Sequence, residues 1–102
     1  MSNIRDARNV LTARLLQGDG RASTAQRQAA FMNSDLGEPL NSLVDKIARN
    51  AHAVSNDDVT KVLAAGLDED QTFEIIVCAA VGEAARQYDA ALAALEAAAL
   101  EH

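Results

Sequence analysis

Four side chains in this 102-residue chain are of the types that acid–base or thiol chemistry uses: Cys78, His52, Asp45 and Glu74. Cys78 is the single thiol, and a thiolate nucleophile needs a helix N-terminus or a cation beside it to lower its pKa. The pattern puts it in mid-helix, one turn from Glu74, whose charge opposes the thiolate. It reads as a small buried hydrophobe, the common state of a free cysteine. The catalytic alternative is a peroxide-reactive thiol. His52 falls at the edge of an apolar helical face, two turns after Asp45, so a contact between the two is open and either Asp45 or Glu74 could serve it as acid and base. A histidine on the rim of the fold is the simpler reading.

The other chemical signatures fail on inspection. No second histidine lies three or four residues from His52, so a metal site lacks a local ligand pair, and neither metal nor cofactor is expected. Asp57-Asp58 and Asp68-Glu69-Asp70 occupy first turns of predicted helices, where carboxylates complement the helix dipole. The stretch Asp68 to Phe73 lacks the glycine that a calcium-binding EF-hand loop requires at its sixth position. Gly18-x-Gly20 follows a helix rather than a strand and is no dinucleotide fingerprint. No Gly-x-Ser-x-Gly nucleophile elbow occurs.

The element that must position these groups is Asp68 to Leu95. Apolar residues recur there at Phe73, Ile76, Val77, Ala80, Ala84, Tyr88, Ala91, Leu92 and Leu95, at the spacing of one helical face. Between Ile75 and Ala85 the opposite side is apolar too, through Ile75, Cys78, Ala79 and Val81. A helix apolar all round has to be covered all round, so a central helix is expected, surrounded by this chain or by copies of it. Its alanines and Gly82 permit close helix approach.

Upstream, Asn3 to Gln17 is a first helix with Ile4, Ala7, Leu11 and Leu15 inward, closed by Gly18. Ser23 and Gln26 have capping-box spacing for a short helix to about Asn33 that buries Ala25, Ala29 and Met32. Pro39 opens a third, with Leu40, Leu43, Val44, Ile47, Ala48, Ala51 and Val54 on its inner face. Ser55 caps a fourth, Val54 and Val59 form its hydrophobic staple, and Gly66 ends it. Asp68 then caps the long helix, with Gln71 at the capping-box position. The expectation is an all-α, single-domain bundle of about five helices with a long C-terminal central helix, completed by oligomerisation.

Composition sets the outer bounds. Only Phe31, Phe73 and Tyr88 are aromatic, and an alanine-rich core buries little area per residue, which favours assembly into oligomers. Leu100-Glu101-His102 reads as the start of a purification tag, leaving residues 1–99 as one helical domain. The net charge of −6 opposes nucleic acid and anionic membrane surfaces as partners. No run of 18 apolar residues and no secretory leader is evident, and the lone cysteine suits a reducing compartment, so the cytoplasm is expected. Acidic helix starts could also be shown to a basic protein partner.

Two stretches carry a likeness to a known family: Val54-Ser55-Asn56-Asp57-Asp58-Val59, and Ala65-Gly66-Leu67-Asp68-Glu69-Asp70-Gln71-Thr72-Phe73-Glu74. In that order, from Pro39 onward, the chain resembles the alkylhydroperoxidase and carboxymuconolactone decarboxylase superfamily. The resemblance implies an all-helical subunit in a homo-oligomer, a trimer or hexamer, with pockets for small molecules near subunit contacts. Peroxidase members carry Cys-x-x-Cys-x-x-x-His ahead of the corner glycine. Here Ala51, Val54 and Asp58 occupy those positions, and a register that makes His52 the motif histidine puts Asp45 and Ala48 at the cysteines. The scaffold therefore carries over and the dithiol redox chemistry does not. What remains is a non-redox oligomeric member, or else a small decarboxylase-like or one-cysteine antioxidant enzyme that uses His52 or Cys78.

Overall fold

The computed structural model describes residues 2–101; Met1 and His102 lie outside it, as do the side chains of residues 2–5, Ile4 among them. Five α-helices follow one another: α1 (Ser2–Gln17), α2 (Thr24–Met32), α3 (Leu40–Arg49), α4 (Asn56–Ala64) and α5 (Glu69–Leu100), with a single 3-10 turn, Ala51–Ala53, between α3 and α4. No strand occurs among the described residues. The protein is all-α with a long C-terminal helix, in the order its sequence pattern predicts.

Three helix starts are written in local chemistry. Ser23, Ser55 and Asp68 each accept a hydrogen bond from the backbone N–H three residues on. The side-chain oxygens of Gln26, Asp58 and Gln71 in turn accept from the cap residue's own N–H, so two donors are satisfied at each start. The α4–α5 corner turns on Gly66, whose φ of +110° a side chain would strain. Asp58 also draws α3 onto α4, because Lys46 Nζ donates to both its oxygens at 2.9 and 3.0 Å. Its carboxyl is held below its ordinary pKa by that ammonium first and by the Ser55 backbone N–H second.

The core lies along the first half of α5. Ile75, Cys78 and Ala79 pack with Leu40, Leu43 and Val44 of α3, Val62 of α4, and Ala22 and Ala30 at and within α2. Leu43 and Ile75 are the largest side chains with no accessible surface, and each contributes about 1.5–3 kcal/mol. Gly82 allows α2 to lie directly on α5: a Cβ there would sit 2.0 Å from the carbonyl oxygen of Phe31. Arg86 Nη1 donates to the same oxygen at 2.6 Å, which fixes the C-terminal end of α2.

Several predicted faces are turned in the structure. Helix α2 buries Arg27 and Ala30, with Ala22 just ahead of it, while Ala25 is exposed, Ala29 half-buried and Met32 exposed. Leu11 and Ala7 of α1 are exposed, so α1 holds the body chiefly through Leu15 and Leu16. Helix α3 stops at Arg49 rather than running on to Val54, and Ala51 is exposed in the 3-10 turn. The belt around α5 is also incomplete. Ile75 is closed off, but Ile76, Val77, Val81 and Ala85 are half-buried, and Ala80 and Ala84 face solvent.

Beyond Asp89, α5 leaves the body. Every residue from Ala90 to Leu100 is exposed except half-buried Leu92. The radius of gyration, 15.5 Å, exceeds the roughly 13 Å of a compact chain this long. The longest dimension, 54 Å, is set by α5, whose 32 residues span about 48 Å.

Candidate functional site

The four candidate residues do not converge. His52 is exposed in the 3-10 turn, because α3 ends before it and its face no longer follows that of α3. Asp45 is engaged elsewhere: it accepts from Arg49 Nε at 2.7 Å and from Asn33 Nδ2 at 3.3 Å. Those partners, Arg49 first, lower its pKa. The Asp45–His52 pair that the spacing left open is absent from the hydrogen bonds and ion pairs of the described residues.

Glu74 serves as a backbone clamp. Its Oε1 accepts from the Arg21 N–H at 2.9 Å and its Oε2 from the Ala22 N–H at 2.6 Å, tying the α1–α2 loop to α5. These N–H groups, Ala22 first, and the nearby Arg27 charge hold the carboxyl below its ordinary pKa. A general base at neutral pH works best with a pKa near the working pH, and Glu74 is moved the other way. Next to it, Arg21 Nη2 donates to the α5 cap, Asp68, at 2.8 Å, and Gln71 Nε2 donates to the Arg21 carbonyl at 3.4 Å. The start of α5 and the α1–α2 loop are thus one polar unit.

Cys78 has no accessible surface. Contrary to the sequence reading it does have a cation nearby, Arg27 of α2, which favours the thiolate. Burial outweighs that effect and, with Glu74 adding to it, raises the thiol pKa. A disulfide-exchange reagent such as 5,5′-dithiobis(2-nitrobenzoate) is therefore expected to label Cys78 at least ~100-fold more slowly in native buffer than in denaturant. Equal rates would place the thiol at the surface.

A broad apolar concavity lies elsewhere, between α1 and the middle of α5. Leu11, Thr12, Val81, Ala84, Ala85 and Tyr88 line a groove of about 430 Å³ with almost wholly apolar walls. Arg8 stands at its edge, its guanidinium carbon 5.3 Å from the centre of the Tyr88 ring and its Nη1 2.6 Å from Asp89 Oδ1. Past the groove α5 continues into its protruding end, where Leu95 is 64% and Leu100 89% exposed. The stripe Val81, Ala84, Tyr88, Ala91, Leu95 recurs at alternating three- and four-residue steps, the spacing of a helix–helix seam. The sequence reading found most of this stripe, with Val81 on the opposite side, and left open whether this chain or a copy of it covers the helix.

Comparison with protein-family models, curated proteins and solved structures returned no match. No helix among the described residues is long and apolar enough to cross a membrane.

Proposed function

We propose that the protein is a non-redox helical assembly subunit, resembling the alkylhydroperoxidase and carboxymuconolactone decarboxylase superfamily, whose working surface is the α1/α5 groove and whose first partner is a second copy of itself. The observation that carries this reading is the bare seam on α5. Ala90 to Ala99 projects about 15 Å past the body with Leu92 and Leu95 and a single charge, Glu96. It matches a groove of the same apolar character on the same molecule. The charge at the groove's edge, Arg8, is opposite in sign to Glu96. Reciprocal seating of two arms in two grooves is a closed twofold arrangement in which each copy supplies both surfaces.

The reading is supported from a second side. The Ser55-capped α4, the Gly66 corner and the Asp68-capped α5 occur in the order that the resemblance implies. Ala51, Val54 and Asp58 stand where the peroxidases have their thiols and histidine. Any small molecule bound by the assembly would then lie beside the seam, held without thiol chemistry.

Sedimentation velocity at micromolar concentration tests this. The expected species is heavier than the 10.8 kDa chain. Leu95→Glu, at an exposed position whose loss costs the monomer nothing, should weaken association at least about tenfold, since each arm would bring an unpaired charge to an apolar seat. A monomer at tens of micromolar, or a Leu95→Glu variant that associates as well as the parent, would overturn the reading.

A further inference from the structure

Arg27 is the most deeply buried charge among the described residues, only 6% exposed. A guanidinium stays protonated in a protein, and a buried charge is ordinarily paired. No carboxylate lies within ion-pair distance of Arg27 among the described residues. Its five N–H groups find only two acceptors: Nη1 donates to the Leu15 carbonyl at 3.1 Å and Nη2 reaches Thr24 Oγ1 at 3.5 Å. Nε is buried with no partner at all. Glu74 is the nearest acid by its electrostatic influence, but both its oxygens are taken by the Ala22 and Arg21 N–H groups.

Arg27 is also a wall of a cavity. About 180 Å³ opens between α1, its following loop and α5, with Leu15, Phe73 and Val77 as an apolar side and Arg14, Asp19 and Glu74 as the polar remainder. Phe73 is 66% exposed on the first turns of α5, a large aromatic surface the core does not use. None of these residues falls in the 51–58 stretch where the resemblance locates peroxidase chemistry.

We infer that this cavity binds a small monocarboxylate with an apolar tail, the carboxylate taking the Nη hydrogens of Arg27 that Leu15 and Thr24 leave free and the tail lying along Leu15, Phe73 and Val77. The parallel N–H groups of a guanidinium match the two oxygens of a carboxylate, and the pairing would give these donors the acceptors that the fold withholds. The volume sets the size: an apolar cavity of about 150 Å³ accommodates benzene, so a six-carbon ring or a chain of similar bulk fits. The lining sets the charge. Arg14 and Arg27 stand against Asp19 and Glu74, so a ligand with a single negative charge meets less repulsion from the two carboxylates than the more highly charged phosphate does.

Calorimetric titration of the full chain with benzoate at pH 7 is the test, with benzamide and inorganic phosphate as paired probes. Benzoate should saturate one site per chain with a dissociation constant of about 1 mM or tighter, at least about tenfold below that of benzamide and of phosphate. Phe73→Ala alters an exposed side chain and should leave the helical circular dichroism unchanged while weakening benzoate about fivefold. Arg27→Gln should abolish the preference for benzoate over benzamide. No saturation by benzoate up to about 10 mM, equal binding of benzamide, or tighter binding of phosphate would each overturn the assignment. The site is independent of self-association: it stands or falls by these titrations whether the chain sediments as a monomer or as an oligomer.

Discussion

Gly82→Ala should destabilise the protein by about 2–4 kcal/mol, although alanine is the better helix former by about 1 kcal/mol. The intrinsic gain is overwhelmed by one contact. The new methyl would stand 2.0 Å from the Phe31 carbonyl oxygen, 2.7 Å from its carbon and 2.9 Å from its Cα, all backbone atoms. No rotamer relieves a clash with main chain, so the end of α2 must move away from α5. That shift breaks the 2.6 Å bond from Arg86 to the same oxygen and loosens Ala30, which has no accessible surface. For a chain of 102 residues, whose whole stability is on the order of 5–15 kcal/mol, this is a large fraction. The midpoint of urea unfolding should fall accordingly. Ala93→Gly in the exposed arm is the control: there alanine should be favoured by about 1 kcal/mol, because propensity acts alone. A Gly82→Ala midpoint equal to or above that of the parent would mean that α2 does not rest on α5 at this point.

Gly82 also marks the boundary between what the sequence discloses and what it hides. Capping boxes at Ser23 and Asp68 and the cap at Ser55 are legible because each is closed within four residues by side chains of the right type, and all three form. The core of α3 is legible for a similar reason, since its bulky apolar residues Leu40, Leu43, Val44 and Ile47 share one face. The face of α2 is not. Its alanines are spread around the helix, so a hydrophobic stripe could be drawn through Ala25, Ala29 and Met32 as well as through Ala22 and Ala30. What decides between them is backbone contact with Gly82, 51 positions after Phe31 in the chain. Arg27 gives no local warning of burial, because arginine among glutamines normally means a solvated face. For the same reason the cation near Cys78 could not be foreseen.

The reading of α5 is instructive in another way. Its apolar residues on both sides were taken to require a complete cover from this chain or from copies of it, and the chain itself buries the side of Ile75, Cys78, Ala79 and Gly82. Periodicity reports which residues favour burial, and is silent on whether the burying surface belongs to the same molecule. Among the candidates for chemistry, type and spacing read Cys78 as the small buried hydrophobe that it is, and found Glu74 but not its task. Glu74 holds two N–H groups from residues 52 and 53 positions earlier, contacts that no local pattern encodes.

Those two bonds carry the second large prediction. Glu74→Gln, a change of one atom, should cost about 2–3 kcal/mol at pH 7. The amide oxygen can keep one of the two donors, but its NH₂ must face the other, leaving the Arg21 or Ala22 N–H against another donor at a cost of about 1–3 kcal/mol on top of the lost charge assistance. Gly20 leaves little room for a rearranged side chain, since even its own added Cβ would lie 2.8 Å from Glu74 Oε1. The pH dependence identifies the cause. The Glu74 pKa is lowered in the folded state, first by the Ala22 N–H and then by that of Arg21. Its contribution is therefore complete above the unfolded value of about 4.3 and is lost as the pH falls through the lower folded value. The gap in unfolding free energy between parent and Glu74→Gln should be widest at neutral pH and should close as both are acidified below about pH 4. Asp58 and Asp68 are shifted in the same direction and are common to both proteins, so the difference isolates Glu74. A gap that stays constant from pH 7 down to the acid transition would show that the loop is held by shape, with the charge on Glu74 contributing nothing.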